Sequence, residues 1–172
     1  MATIFSLPIE LLLAVSTDLT PASIISLRMT CRSLRDRLEP LIPNGYRVTM
    51  NDLLEIETWP EYHPALMRPL AAQYPDSNDY FACSNCLTLK SADAFADNMM
   101  KGRRGKFANE STTNKSSRLC ITCGIERGVY APGTKLYHGG AKRIYGFVCE
   151  TCSGFEEFQN GGSEGTICSG CS

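Results

Sequence analysis

"CETCSGFEEFQNGGSEGTICSGC", residues 149–171, opens and closes on a C-x-x-C pair, and 15 residues separate Cys152 from Cys168. Two residues between cysteines let a tight turn aim both sulfurs at one ion. Two such pairs complete the four-thiolate tetrahedron of a closed structural zinc site. The interval fits a C-x2-C-x15-C-x2-C module. The same pair recurs upstream at Cys83/Cys86 and Cys120/Cys123, so eight of the nine cysteines are paired in this way. Four pairs predict two structural Zn2+ ions.

Spacing favours sequential pairing. Cys83, Cys86, Cys120 and Cys123 would form site 1, and Cys149, Cys152, Cys168 and Cys171 site 2. A zinc ribbon stays open as the alternative, because strands near 134–138 and 144–148 would bring Cys120/Cys123 to Cys149/Cys152. The 25 residues between Cys123 and Cys149 exclude RING and LIM spacings. No H-x-E motif accompanies a P-C-x-x-C, so a zinc deaminase is not indicated. All-cysteine sites leave no open position for catalysis, and a non-enzymatic protein is expected. His63 reads as a surface or hydrogen-bonding residue and His138 as a strand-end or turn residue, neither as a ligand.

The chain has 172 residues, 43 % hydrophobic and 20 % charged, with a net charge of −1. That is ordinary globular composition, without the basic excess of a general nucleic-acid binder. No Lys or Arg precedes Arg28, and Glu10 interrupts the first apolar run. A secretory leader needs the opposite pattern. The run is also too short to span a bilayer. A cytoplasmic or nuclear protein is expected, where thiols stay reduced and paired cysteines bind metal.

The first 44 residues predict three short helices. Pro8 suits a first helical position, Thr20–Pro21 a cap and first residue, and Thr30 a third cap before a stop at Pro40. Residues 45–80 read as a proline-rich connector with one helix near 51–58, capped by Asn51. Residues 81–172 form the cysteine-rich domain, with Phe95 placed to pack beside a metal. "KGRRGKFANESTTNKSSR" (101–118) reads as an exposed basic loop. Lys101, Arg103, Arg104 and Lys106 are its candidate target-docking residues. The fold class is small α+β, loop-rich and metal-stabilised, with short β-hairpins. Metal removal is expected to unfold the C-terminal half and spare the N-terminal helices.

"LPIELLLAVSTDLTPASIISLRMTCRSLRDRLEP" (7–40) resembles an F-box: Leu-Pro-x-Glu, an aliphatic helix, a Leu before a Pro-containing turn, a second aliphatic run and a Cys-Arg-x-Leu ending. The whole layout is similar to short fungal-type F-box proteins with a cysteine-rich C-terminal region. The resemblance implies docking on a Skp-type adaptor of a cullin ubiquitin ligase through Leu7, Pro8, Leu11, Leu12, Val15, Leu19, Ile24 and Leu27. It also implies a buried packing thiol at Cys31. The zinc domain would then bind an unidentified protein target. The alternative is a zinc-stabilised nucleic-acid-binding or structural interaction module outside a ligase.

Overall fold

The computed structural model describes residues 7–38, 47–64, 75–106, 108, 112–158 and 165–172. It is a small α+β protein in which short helices surround two antiparallel sheets. Among the described residues no helix is long and apolar enough to cross a membrane.

Three helices open the chain: α1 (Ile9–Thr17), α2 (Pro21–Thr30) and α3 (Arg32–Leu38). Pro8 stands in the cap position before α1 rather than inside it. Thr20 caps α2 as its sequence predicts, its hydroxyl accepting the Ser23 N–H at 3.2 Å, with Pro21 in the first turn. The break before α3 falls at Cys31, not Thr30. Cys31 is extended, and its sulfur takes the Leu34 N–H at 3.4 Å. The thiol is therefore half-buried and does the work of a cap. The Arg37 guanidinium donates to the Leu7 carbonyl, tying α3 to the start of α1. The expected stop at Pro40 lies outside the described residues.

Helix α4 (Met50–Ile56) starts at Thr49, not Asn51. Thr49 and Asp52 form a reciprocal capping box: the Asp52 N–H reaches the Thr49 hydroxyl at 3.3 Å, and the Thr49 N–H reaches the Asp52 carboxylate at 2.8 Å. The hairpin of β1 (Tyr80–Cys83) and β2 (Thr88–Ser91) follows. One-turn helices α5 (Asp97–Met100) and α6 (Thr112–Lys115) lead to α7 (Ile121–Glu126). The second sheet has the order β3 (Lys135–His138), β4 (Ile144–Val148), β5 (Phe155–Glu157).

Strand alternation divides the interior. Successive side chains of a strand point to opposite faces. Phe81 and Cys83 join a core with Phe95, Met100, Ile121, Leu136 and Val148. Ala82, between them, faces the other way with its cross-strand partner Leu89. Those two pack with Ala22 and Ile25 of α2 and Leu53 and Ile56 of α4. The N-terminal helices thus share a core with the hairpin that carries the first cysteine pair. Metal removal is therefore expected to disturb them too, where the sequence alone suggests they would be spared.

A buried ion pair joins the same parts. Arg118 and Glu57 are 0 % and 3 % exposed, and Arg118 Nη1 donates to both Glu57 carboxylate oxygens at 2.7 and 2.8 Å. Glu57 also accepts the Ala82 N–H at 2.9 Å.

Candidate metal centres

Each C-x-x-C is closed by one backbone bond. The N–H of the residue after the second cysteine reaches the carbonyl of the first: Leu87 to Cys83 at 3.0 Å, Gly124 to Cys120 at 2.8 Å, Ser153 to Cys149 at 3.0 Å and Ser172 to Cys168 at 3.2 Å. The turn brings both sulfurs to one side, which is what the two-residue gap is for.

The four sulfurs of Cys83, Cys86, Cys120 and Cys123 lie within 4.8 Å of one another, as do those of Cys149, Cys152, Cys168 and Cys171. The grouping is sequential. The ribbon strands form near 134–138 and 144–148, but they do not bring Cys120/Cys123 to Cys149/Cys152. All nine cysteines are free thiols. A tetrahedral ion with metal–sulfur bonds of about 2.3 Å sets its sulfurs about 3.8 Å apart. Both groups suit such an ion, and the chain can hold two metal ions.

Site 1 sits in the main core. Cys83, Cys120 and Cys123 are buried beside Phe81 and Phe95. The Cys120 N–H points at Cys83 Sγ at 3.3 Å, and Lys90 Nζ donates to Cys120 Sγ at 3.4 Å. The Thr88 hydroxyl lies 2.9 Å from Cys86 Sγ. Lys90 and Thr88 are thus supporting groups that ligand spacing does not reveal. The Lys of "CLTLK", one strand-length beyond the knuckle, was the only signal for them.

Site 2 is peripheral. Phe147 and Phe158 pack against Cys149 and Cys168, while Cys152 and Cys171 are exposed. Cys149 Sγ accepts the N–H groups of Thr151 at 3.4 Å and Cys168 at 3.3 Å. Side chains clamp the last segment from outside: Thr166 donates to Glu150 at 2.5 Å, and the Ser169 N–H and hydroxyl donate to Glu156 at 3.1 Å.

Without an ion the thiols of a group compete for charge. The hydrogen bond from the Cys120 thiol pulls Cys83 down to about 4, and the same contact pushes Cys120 far above its usual range. Backbone N–H groups of Cys152 and Cys168 hold Cys149 down to about 6, and contact with the Cys168 sulfur pushes Cys171 up to about 12. Four thiolates this close need a cation to be ionised together, and a bound dication supplies it.

The histidines take no part in these clusters. His63 is buried. His138 ends β3, also buried, and its Nδ1–H donates to the Asp93 carbonyl at 2.9 Å.

The basic segment is not the open loop expected from its composition. Lys106 turns inward, donating to the Tyr62 carbonyl at 2.6 Å, with its ammonium 4.9 Å from the Phe81 ring centre. That engagement leaves it less available to a partner, and burial lowers its pKa to about 8. Lys101 pairs with Asp97 at 2.5 Å, and Arg104 donates to Ser117 at 3.3 Å. Arg103 is exposed.

Of the residues implied for adaptor docking, Leu12 is buried and unavailable to a partner. Pro8, Leu11 and Val15 are exposed, and Leu7, Leu19, Ile24 and Leu27 are half-buried. Compared with protein-family models, with curated proteins and with solved structures, the chain finds no match.

Proposed function

We propose that this chain is the substrate-recognition subunit of a Skp–cullin–F-box ubiquitin ligase, working in the cytoplasm or nucleus. Its N-terminal helices dock the Skp-type adaptor, and two structural Zn2+ ions hold the C-terminal half that captures the target. The chain supplies no chemistry of its own; ubiquitin transfer takes place on other subunits.

The observation that carries the reading is how much apolar side chain α1 leaves exposed on both flanks of its buried Leu12–Ser16 line. Ile9, Leu11, Leu13 and Val15 are 42, 52, 50 and 47 % exposed within nine helical residues. Ile9 and Leu13 are one i,i+4 pair and Leu11 and Val15 another, and apolar pairs left uncovered by their own fold mark a partner site. They fall within the very segment that resembles the F-box. Zinc is the proposed metal because eight soft sulfurs in two groups of four, the members of each within 4.8 Å of one another, match its ligand preference.

The nucleic-acid alternative has less to stand on. Lys106 is half-buried and donates to a backbone carbonyl, and Lys101 and Arg104 are engaged internally, so the segment offers a reduced basic surface to phosphates.

Co-expression with a Skp-type adaptor tests the reading. The wild type is expected to co-purify one-to-one, and Leu11→Asp with Val15→Asp to abolish the complex while keeping both metal ions. A folded, zinc-loaded wild type that captures no adaptor overturns it.

A further inference from the structure

Helices α2 and α3, the segment entering α4 and the first cysteine turn border a cavity of about 370 Å³ that is open to solvent on one side. Ile25, Met29, Leu53 and Leu89 give it apolar walls, and Arg28 and Arg35 add two guanidinium groups. Among the described residues no carboxylate lines it. Its size is at the lower end of the roughly 300–1,000 Å³ of ligand cavities, enough for one large residue and a chain end.

One wall is unusual. Leu87 follows the second cysteine of its pair and has a left-handed backbone, φ 48°. Ser153 holds the equivalent place at site 2 with φ 58°. That conformation suits glycine, or a short polar side chain; for a bulky residue it is disfavoured and marks a constrained position. The knuckle nevertheless carries a leucine here and turns it to the cavity, still 37 % exposed. The apolar side chain thus sits where turn geometry alone does not call for one.

We propose that this cavity binds the carboxyl terminus of a polypeptide whose last residue is large and apolar. The carboxylate meets Arg28 and Arg35, which favour bidentate carboxylate recognition. The last side chain packs on Leu87 and the walls behind it. Arg35 and Leu87 lie at the surface, so a chain end enters while the rest of its polypeptide stays outside. Because Leu87 belongs to the site 1 knuckle, the cavity depends on a formed metal centre. None of the residues implied for adaptor docking lines the cavity, so its test stands apart from adaptor docking; if both hold, the target's chain end is read where the helices meet the first cysteine turn, beside whatever the C-terminal half contributes.

The test uses the metal-loaded full chain, immobilised without any adaptor. It is exposed to a randomised heptapeptide library with free carboxyl ends and to the same library as carboxamides. Bound peptides are read by mass spectrometry. The free-acid library is expected to be enriched in terminal Leu, Ile, Met and Phe, and carboxamide capture to fall at least ten-fold. Leu87→Gly, which relieves the left-handed strain, is expected to keep both metals and the melting temperature yet lose capture ten-fold. Arg35→Glu should do likewise. Equal capture of acids and amides, or capture indifferent to both variants, overturns the proposal. Displacement by octanoate at the affinity of the peptides reassigns the cavity to a small acid and overturns the chain-end reading. A dimer that Leu87→Gly abolishes would give the cavity to a second copy. Capture seen only after deleting residues 39–46 would give it to that segment. Either outcome overturns the proposal as well.

Discussion

Replacing Glu57 by Ala would leave the Arg118 guanidinium buried without its carboxylate. Both groups are almost fully out of water, and Glu57 alone accepts Arg118 Nη1 twice and the Ala82 N–H once. Removing one partner of a buried pair costs about 3–5 kcal/mol, because the remaining charge keeps its desolvation penalty. Against a domain stability of about 5–15 kcal/mol that is a large share. For a chain of 172 residues it corresponds to a fall in melting temperature of about 6–20 °C. Among the described residues Arg118 Nε and Nη2 are buried without an acceptor, so the pair is imperfectly satisfied even when intact. The double replacement Glu57→Leu with Arg118→Met should therefore recover most of the loss. What stays is the orphaned Ala82 N–H, about 1–3 kcal/mol. The assay is reversible chemical denaturation of the zinc-loaded protein, with metal content checked by native mass spectrometry. A single-mutant cost below about 1 kcal/mol, or a double mutant no better than Glu57→Ala, would refute the account of the pair as a buried, desolvated tie.

Chelation of both metals should disturb the helical core as well as the sheets. The single tryptophan, Trp59, packs against the α2–α4–hairpin cluster, so its emission should shift red; an unmoved spectrum would show that the helices hold without metal. Cys168→Ser should lower the metal count from two to one and leave site 1 loaded, which elemental analysis reads directly. Gly140→Ala places a Cβ 2.0 Å from the Pro75 carbonyl oxygen in a left-handed backbone, φ +61°, and should cost about 1–3 kcal/mol by thermal melting. Burial lowers Lys106 to about 8, so between that value and its ordinary 10.5 the unfolded chain binds more protons than the folded one. Stability from this group is thus expected to rise with pH across that window and to be flat below it, and Lys106→Met should abolish the slope.

Much of the site was legible because its signal is local. A C-x-x-C turn is specified by its own residues, and the 15-residue gap between Cys152 and Cys168 is short enough to favour the pairing that forms. Thr20–Pro21 likewise announces α2, and β3 and β4 fall where the glycine-rich turn between them indicated. The hairpin β1–β2 was not legible as strands, since four residues carry no readable period and its two faces are both buried. Asn51 and Thr49 are both good caps by type, and only the reciprocal bond with Asp52 decides between them. Glu57–Arg118 spans 61 positions and has no local mark at all. Composition misled most clearly at 101–118. It counts charges but cannot say which of them find carbonyls or rings, and Lys106 and Arg118 find both burial and partners.

The alternation at β1 has a consequence for how the parts communicate. Cys83 and Ala82 are neighbours in one strand, yet one faces the site 1 core and the other the helical core. A metal ion at site 1 would fix the ends of this hairpin, and with them the platform on which α2 and α4 rest. Arg118 reinforces the link, because its carbonyl accepts both the N–H and the hydroxyl of Ser84 at 2.9 Å while its side chain holds Glu57 at the end of α4. Site 2 has no such position: it grips the last segment beside Phe147 and Phe158 and lies outside both large cores. The two centres are therefore unequal in what they stabilise, although their sulfur geometry is alike. Under the proposed function, site 1 would tie the adaptor-docking helices to the rest of the chain, where a flexible joint would let a captured target wander from the point of ubiquitin transfer.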